Sequence, residues 1–375
     1  MNPSHEELRS LMALTCTPRV SAIVARRLVN ELGSATEVLR RRHELPSLIP
    51  EVRPALVAAL DCPAALRRAD KELEFAEKNR IRCLAISDEG YPSRLRACDD
   101  APLVLYTLGD ANLNALRVVS VVGTRNITDY GRDLCTTFCH DLQRLVPDAL
   151  VISGLAYGVD VAIHRGCLAE GLTTVGCLAH GLDRIYPSAH RQTASEMVRQ
   201  GALVTEYMSF TEPERQNFLQ RNRIIAGMAD ATILVESAVH GGGLVTCSHA
   251  LDYGRSCFAF PGRVGDVHSQ GCNNLIRNAS AGLITSAEDF VDAVGWQHTN
   301  SSSSGPIQGQ LFLDLSDAEE RLIDLIRRSP DATIGLNQLA MEADVPINKL
   351  NSQLMMLEMK GAVRILNGSR VHSLC

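Results

Sequence analysis

Between residues 117 and 294 apolar runs recur at regular intervals. RVVSVV (117–122), ALVIS (149–153), TTVGCL (173–178), ALVTE (202–206), ATILVE (231–236), CFAF (257–260) and GLIT (282–285) are apolar throughout rather than alternating. That is the pattern of strands covered on both faces. Helix-length segments such as YGRDLCTTFCHDLQRL (130–145) and GGLVTCSHALDYG (242–254) lie between most of them. Strand–helix alternation of this kind predicts a doubly wound, mostly parallel α/β sheet.

The flanks read differently. LRSLMAL, VSAIVARRLVNELG and ATEVLRR, within residues 8–60, carry apolar positions at helical spacing, with Gly33 placed as a helix C-cap. Proline at 46, 50 and 54 breaks the pattern. A helix-hairpin-helix DNA-binding module needs a glycine-rich hairpin, and TCTPRV (15–20) has no glycine, so a packing module is expected. Residues 66–80 read as one charged helix, and 81–110 as short strands and turns. QHTNSSSSGPIQGQ (297–310) is polar and serine-rich, as a flexible linker would be. Three helical segments, 316–328, 334–344 and 346–361, then precede AVRIL and RVHSL around Gly368, the layout of a winged helix. The expected division is a small helical domain over 1–65, a core over 66–296, a linker over 297–312 and a winged-helix-like domain over 313–375.

The 375 residues are 45% hydrophobic and 21% charged, ordinary values for a soluble protein of two or three domains. No apolar run approaches the ~20 residues that span a bilayer, and MNPSHEELRS lacks the basic and apolar regions of a signal peptide; a cytoplasmic protein with no membrane partner is expected. Of the 12 cysteines none forms a CxxC pair, which argues against zinc-ribbon and thioredoxin chemistry. No metal site is expected. The net charge of −6 argues against coating nucleic acid by bulk charge. Only four lysines (71, 78, 349 and 360) accompany 33 arginines, so an anion site in the middle of the chain must use arginine, backbone amides or helix N-termini.

Open α/β sheets bind ligands beyond the carboxyl ends of their strands. Here Gly123-Thr124-Arg125 follow the first run, Gly154 the second, HGLDRIYP (180–187) the third, SAVHGGGL (237–244) the fifth and Pro261-Gly262 the sixth. Glycine lets backbone amides approach an anion, and helix N-termini carry positive partial charge. A phosphate-binding surface is expected, although tight strand–helix turns alone would also place glycine there. Walker-type GxxxxGK[ST] and dinucleotide-type GxGxxG are both absent, and no cofactor is expected. In FLQRNRIIAG (218–227), Arg221 and Arg223 flank Asn222. Arginine grips phosphate bidentately; a solvated helix start with an internal salt bridge is the plainer alternative. Asp160, His164, Glu206 and Glu236 are the acid–base candidates, with Asp160 a potential N-cap and His164 a core histidine.

VVGTRNITDYG (121–131), SGLAYGVDVAIHRG (153–166), GLDRIYP (181–187), FLQRNRIIAG (218–227), HGGGLVTCSHALDYGR (240–255) and FAFPGRVGDVHSQGCNNLIRNAS (258–280) resemble, in order, the core motifs of the DNA-processing protein A family, DprA or Smf. The resemblance extends to EGYPSRL ahead of the core and to the winged-helix-like tail. It implies a Rossmann-like core that binds single-stranded DNA in a basic pocket, and a homodimer that loads RecA recombinase during natural transformation, without catalysis. The motifs place the DNA pocket at Gly123, Thr124 and Arg125, at Ser153 and Gly154, at Asn217, Arg221, Asn222 and Arg223, and at Gly241, Gly242 and Gly243. The chain departs from the family pattern at Gln220, where proline is usual ahead of the RNR segment. It departs again at the all-glycine loop, where Ser-Gly-Ser is usual, and at His190, where asparagine is usual. Tyr157 and Tyr186 are candidate stacking platforms. A nucleoside monophosphate hydrolase, using GGGLVT with Glu206 or Glu236, is the alternative; against it, the following helix offers only Asp252. A third reading, a duplex-reading transcription regulator, is disfavoured because PINKLNSQLMMLEMKG carries only Lys349 and Lys360.

Overall fold

The structure is a computed structural model that describes residues 4–49, 52–296, 316–329, 333–343, 345–360, 362–366 and 370–373. The expected linker over 297–312 lies outside the described residues. The chain divides into two compact units, residues 1–300 and 301–375.

The first unit is built on nine strands: β1 Arg82–Ala85, β2 Val104–Gly109, β3 Val118–Val122, β4 Leu150–Ser153, β5 Thr173–Cys177, β6 Ala202–Thr205, β7 Ala231–Leu234, β8 Ser256–Ala259 and β9 Gly282–Leu283. Their order is β1-β2-β6-β5-β4-β3-β7-β8-β9. From β3 outward every pairing is parallel, and only β1 and β2 run antiparallel at one edge. The parallel part of the sheet starts at β3, moves outward through β4, β5 and β6, then returns to the other side of β3 with β7. The sheet therefore changes its direction of growth between β3 and β7, where doubly wound sheets open a crevice for ligand.

All five residues of β3 and all four of β4, β6 and β7 are buried, which is why these runs lack alternation. The pleat still sorts them. Val118 and Val122 face a core shared with Ile224, Ile225 and Ala250. Val119 and Val121 face one shared with Cys135, Phe138 and Ile163. Each fully buried aliphatic side chain is worth about 1.5–3 kcal/mol relative to exposure.

Serine starts three of the N-terminal helices. Ser4, Ser21 and Ser34 accept from the amides of Glu7, Val24 and Glu37, and Gly33 at φ 84° ends the second helix as a left-handed cap. Helix Pro63–Lys78 follows. Its buried Glu72 accepts from the amide and hydroxyl of Ser209, which ties the helix to the loop after β6. The helices and strands β1 and β2 share one apolar core, including Leu11, Leu28, Val104 and Tyr106.

The second unit has helices Asp317–Arg328, Leu336–Ala343 and Ile347–Met359 and strands β10 Thr333–Gly335, β11 Val363–Leu366 and β12 Arg370–Ser373. β12 lies between β10 and β11, antiparallel to both. The layout is a winged helix. One detail differs from the sequence expectation: residues 333–335 form β10, and the second helix starts only at Leu336. Among the described residues no helix is long and apolar enough to cross a membrane.

Candidate nucleic-acid interface

At the change of sheet direction, the loop after β3 and the loop after β7 diverge around a cavity of about 600 Å³. Its walls are Gly123–Asn126, Ser237 and Ala238, His240–Gly243 and one side of helix Arg215–Gly227. Helix Gly242–Asp252 begins in the wall. Its N-cap is Gly241, and no side chain caps its first amides, so they are free for an anion.

Glycine is required there by close approach. A Cβ on Gly243 would lie 2.7 Å from Leu234 Cδ1 and 3.1 Å from the Cα of Gly123. A Cβ on Gly154 would collide with the guanidinium of Arg221. That side chain is 3% exposed. Its Nη1 donates to the carbonyl oxygen of Gly154 at 2.7 Å and to that of Cys177. Burial pulls the Arg221 pKa down, and the buried Asp160 carboxylate opposes that pull. Burial in turn raises Asp160, against the opposing charge of Arg221. The cavity floor therefore holds a buried cation beside a buried acid, with Arg221 clamped by carbonyls.

The mouth is aromatic and cationic. The exposed Arg125 guanidinium lies 5.1 Å from the Phe218 ring centroid, and that of Arg221 lies 5.9 Å away. Tyr186, 48% exposed, packs against Phe218 at 5.9 Å. Arg215 and His240 also line the cavity. Stacking surface, cations and free amides thus meet in one crevice.

The model of the DNA recombination-mediator protein A family matches residues 82–295, and that of the DprA winged helix domain matches residues 313–369. The chain belongs to the DprA family. The protein Smf of Escherichia coli is 29% identical over 318 residues, covering 82% of this chain and 84% of Smf. The X-ray structure of DprA from Streptococcus pneumoniae superposes with a TM-score of 0.60 at 27% identity, covering 78% of this chain and 98% of that one. A DprA structure from Helicobacter pylori, described for its single-stranded DNA binding mode, gives 0.52 at 26% identity, covering 57% of this chain and 95% of that one.

The residues singled out from the DprA motifs separate into three groups. Gly123, Thr124, Arg125, Arg221, Asn222 and Gly241–Gly243 line the cavity, and Asn222 Nδ2 donates to the carbonyl of Gly242 at 3.3 Å. Ser153 and Gly154 lie behind the wall. Ser153 Oγ donates to the carbonyl of Val121 at 2.6 Å, and Gly154 makes room for Arg221. Asn217 and Arg223 are not brought to it. Asn217 Nδ2 donates to the carbonyl of Glu212 at 3.0 Å. Arg223 faces away, donating to the carbonyl of Asp100 at 2.6 Å and to the Glu206 carboxylate. The reason is helical period: residues two apart on a helix point about 200° from each other. The sequence offers Arg-Asn-Arg as a helix start, but the helix begins at Arg215, so all three residues lie inside it.

Phe218, Arg215 and His240 escaped the sequence reading. Phe218 opens FLQRNRIIAG, where the charges of Arg221 and Arg223 are the more conspicuous signal. Of the two tyrosines proposed for stacking, Tyr186 lines the cavity, whereas Tyr157 packs edge-on against His190 at 4.9 Å.

The acid–base candidates have structural partners. Glu236 is buried and accepts from the amide of Thr128 at 3.0 Å and from its hydroxyl, closing the start of helix Asp129–Leu145. Glu206 receives Arg223. Neither glutamate lines the glycine cavity. Asp160 sits in the first turn of its helix, whose N-cap is Gly158. His164 is wholly buried. Its Nδ1 donates to Thr174 Oγ1 at 2.7 Å, that hydroxyl donates to the carbonyl of Val151 at 3.0 Å, and burial pulls the imidazole down to about 3. It is a neutral core histidine.

Proposed function

We propose that this DprA-family chain takes single-stranded DNA into the cavity between β3 and β7. One observation carries the reading: Phe218, framed by Arg125, Arg221 and Tyr186, stands beside uncapped amides of helix Gly242–Asp252. A single strand needs a positive groove for its backbone and flat surfaces for its unpaired bases. With a net charge of −6, attraction must come from this focused site. A duplex hides its base faces and gains nothing from Phe218.

Resemblance to the DprA motifs supports a position for this strand-binder upstream of RecA. We assign this chain the role of protecting incoming strands and loading RecA onto them during transformation, as a cytoplasmic homodimer that performs no catalysis. The strand-binding role falls to the core over residues 66–296. The winged-helix unit, whose Lys360 is held by Glu319 at 2.8 Å, serves protein contacts.

The deciding experiment is a polarisation titration of a labelled oligonucleotide, single-stranded against duplex, at two salt concentrations. Preference for the single strand with a steep salt dependence is expected. Arg125→Ala should flatten the slope of log K against log salt by about 0.7, one phosphate contact on a single strand. Equal binding of both forms would refute the reading. Release of free base from nucleotides incubated with the protein would support hydrolase chemistry instead.

A further inference from the structure

Arg223 is the second arginine of a segment whose first arginine forms the cavity floor, yet it points the opposite way. It is an anchored residue. Nη1 donates to the carbonyl of Asp100 at 2.6 Å, Nη2 to the Glu206 carboxylate, and Nε lies 3.9 Å from the carboxylate of Asp100. Only 13% of its side chain and 13% of that of Glu206 are exposed.

The partners are themselves held. The Tyr253 hydroxyl donates to both oxygens of Asp100, at 2.7 and 2.9 Å. Arg26, from the N-terminal helices, donates to the carbonyls of Cys98 and Arg96, at 2.9 Å for the latter, and so fixes the segment leading to Asp100. Glu206 follows β6 directly. A second cavity of about 500 Å³ lies on this side, lined by residues of the N-terminal helices such as Cys16 and Val20 together with Glu206 and Arg223. Helix Arg215–Gly227 therefore separates two cavities. Its Phe218, Arg221 and Asn222 line one, and its Gln220 and Arg223 line the other.

We propose that Arg223 is a positioning residue for strand binding: anchored to Asp100 and Glu206 on the far side of its helix, it sets where Phe218 and Arg221 stand in the cavity and does not itself contact the strand. The inference rests on the strand-in-cavity reading above. A helix carries both of its faces as one rigid element, so a shift of the anchor moves the opposite face with it. The motif reading, which places Arg223 among the phosphate contacts, makes the contrary forecast.

The two forecasts separate in salt. Loss of a phosphate contact lowers the slope of log K against log salt by about 0.7. Loss of an anchor lowers affinity at every salt concentration and leaves the slope unchanged. Arg223→Leu and Glu206→Gln are each expected to weaken single-strand binding roughly tenfold, within the range for coupling through a packed network, with the slope intact. Arg223→Lys, which keeps the charge but not the fork, should recover part of the loss. Arg9→Leu, which removes the Arg9–Asp70 pair away from both cavities, controls for general loss of stability and should leave affinity unchanged at a temperature where all variants are folded. Fluorine NMR of protein labelled with 4-fluorophenylalanine gives a reading without DNA, and still stands if Arg223→Leu fails to fold. The Phe218 resonance should move in Arg223→Lys and Glu206→Gln but not in Arg9→Leu. A flattened slope in the Arg223 variants would overturn the proposal in favour of direct contact. Full affinity, or an unmoved Phe218 resonance, would overturn it outright. If Arg125→Ala changes neither affinity nor slope, the strand-in-cavity reading fails first, whatever Arg223 does.

Discussion

His164 makes the stability of the sheet depend on pH in a direction and amount that follow from its burial. The imidazole has no solvent exposure, and burial is the largest cause holding its pKa at about 3, followed by the charge of Arg221. In the unfolded chain it would titrate near 6.5. Below that value the unfolded chain takes up a proton that the folded chain refuses, so stability falls as pH drops. The loss begins near pH 6.5 and continues toward pH 3. With those two values, lowering the pH from about 7 to about 5 costs about 2 kcal/mol from this side chain alone. The chain has one tryptophan, Trp296, which packs on Phe290 at 5.2 Å in the first unit. Its fluorescence during urea unfolding therefore reports on the unit that contains His164. His164→Gln removes the titrating group. Because the variant shares every other titrating residue, subtracting its pH dependence from that of the unaltered chain isolates His164. The unaltered protein should lose about 2 kcal/mol more than the variant over this interval. Equal pH dependence in both would refute the assignment of a neutral, wholly desolvated imidazole.

Three other consequences concern the cavity and its frame. Phe218→Ala should weaken single-strand binding by about 1–3 kcal/mol, the worth of one stacked base, with an unchanged salt slope in polarisation titrations; a flattened slope would show that the ring acts by holding Arg125. Gly154→Ala should displace the Arg221 guanidinium and lower both thermal stability and strand affinity. The displaced cation would lose its two carbonyl acceptors, at a cost of about 1–3 kcal/mol, so an unshifted melting temperature would contradict the packing described. Glu236→Gln should destabilise the first unit by about 1 kcal/mol through a weakened helix start, measured by urea unfolding, and should leave strand affinity near its original value. Loss of binding without loss of stability would put Glu236 in the site instead.

The sheet is legible in the sequence because a strand buried on both faces declares itself locally. VVSVV needs no partner to show that it is apolar but for Ser120, and the strands from β3 to β9 coincide with the runs that alternate with helical segments, β8 starting one residue early at Ser256 and the edge strand β9 keeping both of its residues exposed. Ser4, Ser21, Ser34 and Gly33 are local signals of the same kind, since a cap acts on its own first or last turn. β10 is different. Thr-Ile-Gly has three residues and no pattern of its own, and it becomes a strand through pairing with β12, nearly forty residues later. Pairing across that separation leaves no trace in a short window.

The cavity divides along the same line. Glycines where strands end, and a helix opening on Gly242, are local facts, and they mark the correct edge of the sheet. Which side chains turn toward that edge depends on where each helix begins. Read as a helix start, Arg-Asn-Arg in FLQRNRIIAG presents one cationic cluster. Read from the true start at Arg215, the same residues fall in the second and third turns, where Arg221 and Arg223 diverge. Helix boundaries are the least certain part of sequence reading because several weak signals compete there. Here Glu214 takes the N-cap position without a side-chain hydrogen bond, so the usual Ser, Thr, Asp or Asn signal was missing. Taking Arg-Asn-Arg as a helix start, six residues beyond the actual one at Arg215, merges two chemically distinct arginines, one beneath the aromatic mouth and one in an ion pair on the far side of the helix. Their separation, with Arg221 and Arg223 back to back across a single helix, is what makes the anchoring role of Arg223 physically available.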